Sequence, residues 1–355
     1  MTGAAKGRDS LGARASGRVN HFNLLRFVAA FSVLVSHAFP IALGPDAVQP
    51  LERLLAGKTL GAVAVIVFFA ISGYFIAQSY DRSRSAGVFL SARGLRLFPG
   101  LIVMLCLSVI VGAALTTLPA TGYWPGALDY LLRGATLFAM TYDLPGVFAT
   151  NPYGGAVNGS LWTLRHEVAC YLTVLAAGML RLPGRVVSVL AVVALAAFSV
   201  SGAERIVGSG AVVALAGLAL PFWIGSALYF WRDRVPHSLV LLALLALVAG
   251  MSRGTPLWDA ALAAALAYGA IWAGFAQARP LLSFNRIGDF SYGIYIYAFP
   301  VQQVAAQFGA QTPALNMLVA APVVLLLAAL SWHLIEEPAL RLKPRGRARR
   351  RAGVA

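Results

Sequence analysis

Two ionisable side chains stand where an apolar run should exclude them. Arg26 is near the start, and His37 near the end, of the stretch from Asn20 to Leu43. An imidazole can take a proton from a hydroxyl near neutral pH, and a guanidinium fork holds phosphate or carboxylate oxygens. The two residues are eleven positions apart. Eleven helical steps come to about 20° past three full turns, so both share one helix face, roughly 16 Å apart along the axis. Groups of this kind inside a spanning helix face protein or a wet cavity, so the pair predicts a polar seam through a bilayer.

Glu167 extends that seam. It follows Ser160-Leu161-Trp162-Thr163-Leu164-Arg165-His166 at the start of a later apolar run. If the first run crosses outward and this one inward, Glu167 and His37 lie at similar depth. A carboxylate there would orient the imidazole as an acid–base pair. The plainer alternative is a polar pair that locks two helices. On the opposite side, Arg93 and Arg96 precede another apolar run in Ser91-Ala92-Arg93-Gly94-Leu95-Arg96-Leu97-Phe98-Pro99. With Arg26 they suit a phosphate-bearing ligand, or else serve as topological anchors at lipid headgroups.

Three further stretches carry candidate groups. In Val67-Phe68-Phe69-Ala70-Ile71-Ser72-Gly73-Tyr74-Phe75, Ser72-Gly73 allows close helix approach, and Ser72, Tyr74 and the aromatics could line an acyl or glycan passage, as could Trp162. In Ser291-Tyr292-Gly293-Ile294-Tyr295-Ile296-Tyr297-Ala298-Phe299-Pro300, Tyr292 and Tyr295 share a face. Their hydroxyls could bind a carbonyl or sugar hydroxyl, or bond across helices. Finally, Glu336 and Glu337 in Trp332-His333-Leu334-Ile335-Glu336-Glu337-Pro338 could pair with loop arginines.

The elements that must hold these groups are membrane helices. Of 355 residues, 59% are hydrophobic and 12% charged, with mean hydropathy +0.76. A soluble chain is about a quarter charged, so this is an integral membrane protein, and runs of about 20 apolar residues make it helical. The expected fold is all-α and polytopic. About ten transmembrane helices are predicted, near residues 21–43, 60–80, 97–118, 161–181, 184–201, 207–230, 237–251, 257–276, 287–308 and 314–335. A basic start followed by Ser36-His37-Ala38 imitates a cleaved leader, but the apolar run continues to Leu43 and is long enough to span.

The net charge of +15 is concentrated in loops and tails, which is a topology signal and excludes nucleic acid as the partner. With the N-terminus inside, Arg82, Arg84, Arg93, Arg96, Arg181, Arg185, Arg232, Arg234, Arg279 and Arg286 are cytoplasmic. Only Arg53, Lys58, Arg133, Arg205 and Arg253 fall outside. Residues 1–19 then form a basic, disordered cytoplasmic tail, 20–342 one membrane domain, and 343–355 a second basic cytoplasmic tail favouring anionic lipid headgroups. The long external segment 119–160, rich in Pro and Gly, reads as an ordered extracytoplasmic lid with a re-entrant or interfacial helix at 127–141. Cys106 and Cys170 sit in apolar runs without metal-like spacing, so no metal is expected. Phosphate-loop and dinucleotide fingerprints are absent, so the sequence lends no support to nucleotide-driven pumping or nicotinamide chemistry.

Taken in order, these segments resemble membrane acyltransferase family 3, the bacterial O-acyltransferases that modify cell-surface glycans. The resemblance covers roughly residues 20–342 and rests on five motifs: Arg26 and His37; Phe68 to Tyr74; Arg93 and Arg96; Ser160 to Glu167; and Glu337-Pro338. It implies a bacterial inner-membrane enzyme. Acyl-coenzyme A, usually acetyl-coenzyme A, donates from the cytoplasm, and the acceptor is a hydroxyl of an exopolysaccharide, O-antigen or lipid-linked saccharide outside. His37 is then the general base or a transient acyl carrier, Glu167 orients it, and Arg26, Arg93 and Arg96 bind the donor's phosphates. Family members often carry histidine two residues before the Pro of the ninth helix, where this chain has Ala298; that helix is left out of the catalytic assignment. With no soluble domain appended, the acceptor is expected to meet the membrane domain and the 119–160 segment. A different class, a proton-coupled secondary transporter or lipid-glycan flippase, would use Arg26, His37 and Glu167 as a relay. The lack of internal pseudo-symmetry argues against it.

Overall fold

The computed structural model describes residues 10–15, 20–83, 85–137, 139–276 and 279–343. Lys6, Arg8, Arg18, Arg84 and the arginines from Arg345 onward, and with them most of both expected tails, lie outside the described residues.

Among the described residues the chain is all-helical and has no strand. In order come α1 (Leu11–Ala15), α2 (Phe22–Leu43), α3 (Pro50–Leu54), α4 (Leu60–Ser83), α5 (Ala86–Leu115), α6 (Ala120–Thr136) and α7 (Trp162–Met179). They are followed by α8 (Gly184–Ser201), α9 (Glu204–Val207), α10 (Gly210–Phe230), α11 (Leu239–Met251), α12 (Trp258–Gly274), α13 (Ser291–Gln307) and α14 (Pro313–Ser331). A π-helical turn over Trp332–Glu336 carries α14 into α15 (Glu337–Arg341).

Every apolar run in the sequence has become a helix. Among the described residues six are long and apolar enough to cross a membrane: α2, α4, α5, α8, α10 and the stretch Pro313–Arg341. α11 has 13 residues and α12 and α13 have 17 each, and at about 1.5 Å per residue they fall short of a bilayer core of about 30 Å. α7 is long enough but carries Arg165, His166 and Glu167. These apolar helices make this a membrane protein.

The chain divides into two compact units. The first holds residues up to Arg26, Val63–Phe89 and His166–Ile287. Its core includes Phe22, Ile71, Tyr74, Tyr229, Tyr268, Ile271 and Phe275. α4 and α10 approach each other closely at Gly73 and Gly225. A methyl group on Gly73 would overlap the Phe222 carbonyl, and one on Gly225 would overlap that of Ala70. Ser226 Oγ bridges the same contact by donating to the Gly73 carbonyl at 3.0 Å. The predicted close approach at Ser72-Gly73 is thus found. Part of the segment expected to be a disordered tail is ordered: Leu11 is fully buried, and its N–H donates to the Val235 carbonyl at 2.9 Å. One apolar side chain with a core to enter is enough to hold so short a helix.

The second unit holds Phe27–Ala62, Leu90–Arg165 and the chain from Gly288. Here the 119–160 segment is tied down throughout. Tyr123 donates to the Val109 carbonyl at 2.6 Å and Thr116 to that of Pro145 at 2.7 Å. Asn151 Nδ2 donates to the backbone and side-chain oxygens of Gln303 at 2.9 and 2.8 Å. Its helix is α6 at Ala120–Thr136, starting earlier than the apolar piece at 127–141, because Pro119 supplies an extended N-cap.

Candidate functional site

In the second unit, His37 occupies the penultimate turn of α2. Its ring meets Phe299 of α13 edge-on, with centroids 5.3 Å apart and planes at 74°. Among the described residues its buried Nδ1 has no hydrogen-bond partner. The preceding residue anchors the turn: Ser36 Oγ donates to Gln49 Oε1 at 2.8 Å, both side chains being buried. On its other side Phe299 packs against Tyr153 at 5.6 Å. α13 is shaped around this contact by Pro300, which lacks the N–H that would bond the Ile296 carbonyl. Asn158 Nδ2 takes that carbonyl at 2.8 Å, while its Oδ1 caps the turn of Ser160 at 3.1 Å. One buried amide thereby links the kinked helix to the Ser-Leu-Trp segment.

Arg96 lies on α5 in the same unit. Its Nη2 donates to Asp289 Oδ2 at 2.5 Å, and Nη1 is 3.7 Å from Glu336 Oε2. Its guanidinium also faces the rings of Tyr292 and Trp332 at 5.9 and 5.8 Å. Ser331 and Ser291 hydroxyls bond the two carboxylates in turn. Glu336 thus pairs with an arginine, though one inside α5 rather than in a loop, whereas Glu337 pairs with Arg341 four residues on at 2.9 Å. Just past α15, burial, followed by the charges of Arg93 and Arg96, pushes the Lys343 ammonium down to about 8. A cation cluster therefore surrounds the start of α5.

In the first unit Glu167 is held on α7. Ser72 Oγ of α4 donates to its Oε1 at 3.2 Å, and the Tyr171 hydroxyl, one turn along α7, makes a very short hydrogen bond to the same oxygen. Ser72 also reaches the Tyr171 hydroxyl at 3.4 Å. Arg26 is half-buried with its guanidinium 5.7 Å from the centre of the Phe75 ring.

The remaining sequence candidates fall elsewhere. Tyr74 is fully buried among Phe75, Tyr229 and Phe275, so its ring is core rather than passage wall. Trp162 is exposed at the start of α7. Tyr292 donates to the Leu97 carbonyl at 2.7 Å, and Tyr295 to that of Ser160 at 2.9 Å. Of the two uses given for these hydroxyls, bonding across helices is the one observed. Ala298 is fully buried. Among the described residues no cluster of three His, Cys, Asp or Glu is placed to hold a metal.

A family model described as an acyltransferase domain, the third acyltransferase family, matches residues 19–333. The chain belongs to acyltransferase family 3. It is 31% identical over 325 residues to the "O-acetyl transferase" of Shigella phage Sf6, covering 90% of this chain and 95% of that protein. It is 32% identical over 356 residues to "Nodulation protein 10" of Rhizobium leguminosarum bv. viciae, covering 93% and 95%. No solved structure matches it. The protein is therefore an acyltransferase.

Some of this acyltransferase's site neighbours escaped the sequence reading. Tyr171 stands four residues after Glu167, a spacing that puts both on one helix face and could have flagged it. Asp289 and Phe299 carry no local signal that pairs them with Arg96 or His37. Lys343 was taken only as part of a lipid-binding tail.

Proposed function

We propose that this enzyme is an O-acyltransferase that moves an acyl group, foremost acetyl, from cytoplasmic acyl-coenzyme A to a hydroxyl of an extracytoplasmic glycan. The observation that carries the reading is His37: a half-buried imidazole on the first spanning helix, whose buried Nδ1 lacks a hydrogen-bond partner among the described residues. The name of the phage relative supports the acetyl group.

In the direct mechanism, His37 takes the proton of the acceptor hydroxyl as its oxygen attacks the thioester carbonyl. The new ester C–O bond forms, the C–S bond breaks, and coenzyme A leaves as its thiol after taking up the proton. In the relay mechanism the imidazole nitrogen attacks the thioester carbonyl first, the C–S bond breaks and coenzyme A leaves as its thiol with the ring's proton; the hydroxyl then attacks the acyl-imidazole, forming the ester C–O bond as the C–N bond breaks and the hydroxyl proton returns to the ring. A single turnover with labelled donor and no acceptor distinguishes them, since the direct route leaves no acyl-protein. Glu167, which accepts hydrogen bonds from Ser72 and Tyr171, is the second catalytic group. We assign Arg26 and Arg93 to the donor's phosphates, with Arg96 fixed between its carboxylates as the anchor of the cation cluster.

The enzyme sits in the bacterial inner membrane with both termini cytoplasmic, as the arginine asymmetry argues. In this reading α7, α11, α12 and α13 supply the other four of the ten crossings. α6 is interfacial: Trp124, Leu128 and Leu132 form an exposed apolar stripe opposite buried Tyr123, Ala127 and Tyr130.

The test uses membrane vesicles with the cytoplasmic face outward and acetyl-labelled coenzyme A, comparing the native protein with His37→Ala at matched levels. Label entering glycan and release of coenzyme A, both lost in the variant, are expected. No donor consumption by the native protein would favour the transporter or flippase reading. Undiminished transfer by the variant would remove His37 from the chemistry.

A further inference from the structure

We infer that Gln302 is the positioning residue for His37. The inference rests on the catalytic assignment of His37 and deepens it. Gln302 lies on α13, is fully buried, and donates from Nε2 to the Leu34 carbonyl of α2 at 2.9 Å. Leu34 is three residues before His37, and Phe299, which meets the His37 ring, is three residues before Gln302. Two contacts, each one turn from the other along its own helix, therefore join α2 and α13: amide to carbonyl at Leu34, ring to ring at His37.

The first contact sets the second. A backbone carbonyl only accepts, so the amide must present Nε2 to Leu34, and its orientation is determined. The carbonyl has a second lone pair, so α2 keeps its own helical bond. The Gln302 backbone is bonded separately from its side chain: Asn316 Nδ2 of α14 donates to its carbonyl at 3.0 Å and to that of Ala310 at 3.3 Å. Without the Gln302 amide, α2 and α13 keep apolar contacts, the His37–Phe299 edge and the packing of Ile41 with Phe299 and Ala306, which resist sliding and rotation weakly. A general base displaced by about 1 Å loses much of its advantage.

The experiment measures kcat and donor KM with acetyl-coenzyme A in native-membrane vesicles, alongside thermal unfolding, for Gln302→Leu, Asn316→Leu and His37→Ala. Gln302→Leu should lose about tenfold or more in kcat with donor KM little changed. Asn316→Leu, which removes a comparable buried amide but leaves the Leu34 contact, should melt lower and keep its kcat. Undiminished kcat in Gln302→Leu, or equal kcat losses in both variants, would overturn the assignment. If Gln302→Leu does not fold, Gln302→Glu replaces it. That carboxyl donates to Leu34 only when protonated, so its kcat relative to the native enzyme should climb as pH falls, and a flat ratio refutes the role. His37→Ala separates the two levels: normal activity there removes the reading beneath the proposal, whereas lost activity beside a normal Gln302→Leu removes the positioning role alone.

Discussion

Ser72 and Glu167 are 95 residues apart in sequence, and their side chains meet at 3.2 Å. Ser72 lies within the aromatic-rich segment of α4, and Glu167 belongs to the Ser-Leu-Trp segment of α7, so two separate motifs converge on one carboxylate. Tyr171 completes the arrangement from the next turn of α7. Hydrogen bonds to a charged group are worth about 1.5–3 kcal/mol. Tyr171→Phe should therefore lower turnover by roughly 10- to 100-fold, and Ser72→Ala less, since Tyr171 remains. If steady-state kcat is unchanged in both, Glu167 serves packing and not catalysis.

Gly73 and Gly225 set the spacing between α4 and α10. Gly73→Val places a branched side chain against the Phe222 carbonyl, a backbone atom that cannot move aside without displacing α10. Overpacking typically costs about 1–3 kcal/mol, more where backbone must shift. The expected result is a marked fall in folded protein, measured by thermal unfolding in detergent. Gly217→Ala on the same helix, with open space around it, should be neutral.

Arg96 is 18% exposed, and its partners Asp289 and Glu336 are 10% and 1% exposed. Removing one member of such a pair leaves a charge poorly solvated, at a cost of about 3–5 kcal/mol. Asp289→Ala should thus destabilise the protein strongly, while Glu337→Ala, whose partners are at the surface, should change the melting temperature little. Equal effects would mean that Arg96 is well solvated.

Lys343 provides a pH signature. Its folded value near 8 lies below the ordinary lysine range, owing first to burial and then to Arg93 and Arg96. Below about 8 the native protein carries a charge it disfavours. As pH rises through 8 toward the unfolded value of 10.5, the native state sheds that proton first, and stability increases. Lys343→Met should therefore melt higher than the native protein below pH 8, with the difference fading at more alkaline pH. If the cluster also receives donor phosphates, KM for acetyl-coenzyme A rises between about pH 7 and 9 in the native enzyme and stays flatter in Lys343→Met. Parallel pH curves for KM would detach Lys343 from donor binding.

Much of this protein is legible from local pattern alone. Long apolar runs specify membrane helices because lipid leaves the backbone no other partner than itself. A helix has a fixed turn, so spacing predicts a shared face for Arg26 and His37; the same rule offered Glu337 its partner Arg341, four positions on, where a loop arginine was expected. Tertiary structure decided the rest. The sequence offered Tyr292 and Tyr295 either a ligand or a neighbouring helix, and only the packing of α13 showed both hydroxyls bonded to backbone carbonyls. Arg96 drew Asp289 from 193 residues away, and Phe299, on a helix without the family's frequent histidine, became the wall of the His37 seat. Such pairings depend on which helix faces approach each other, and periodicity within one helix carries no record of what lies across from it.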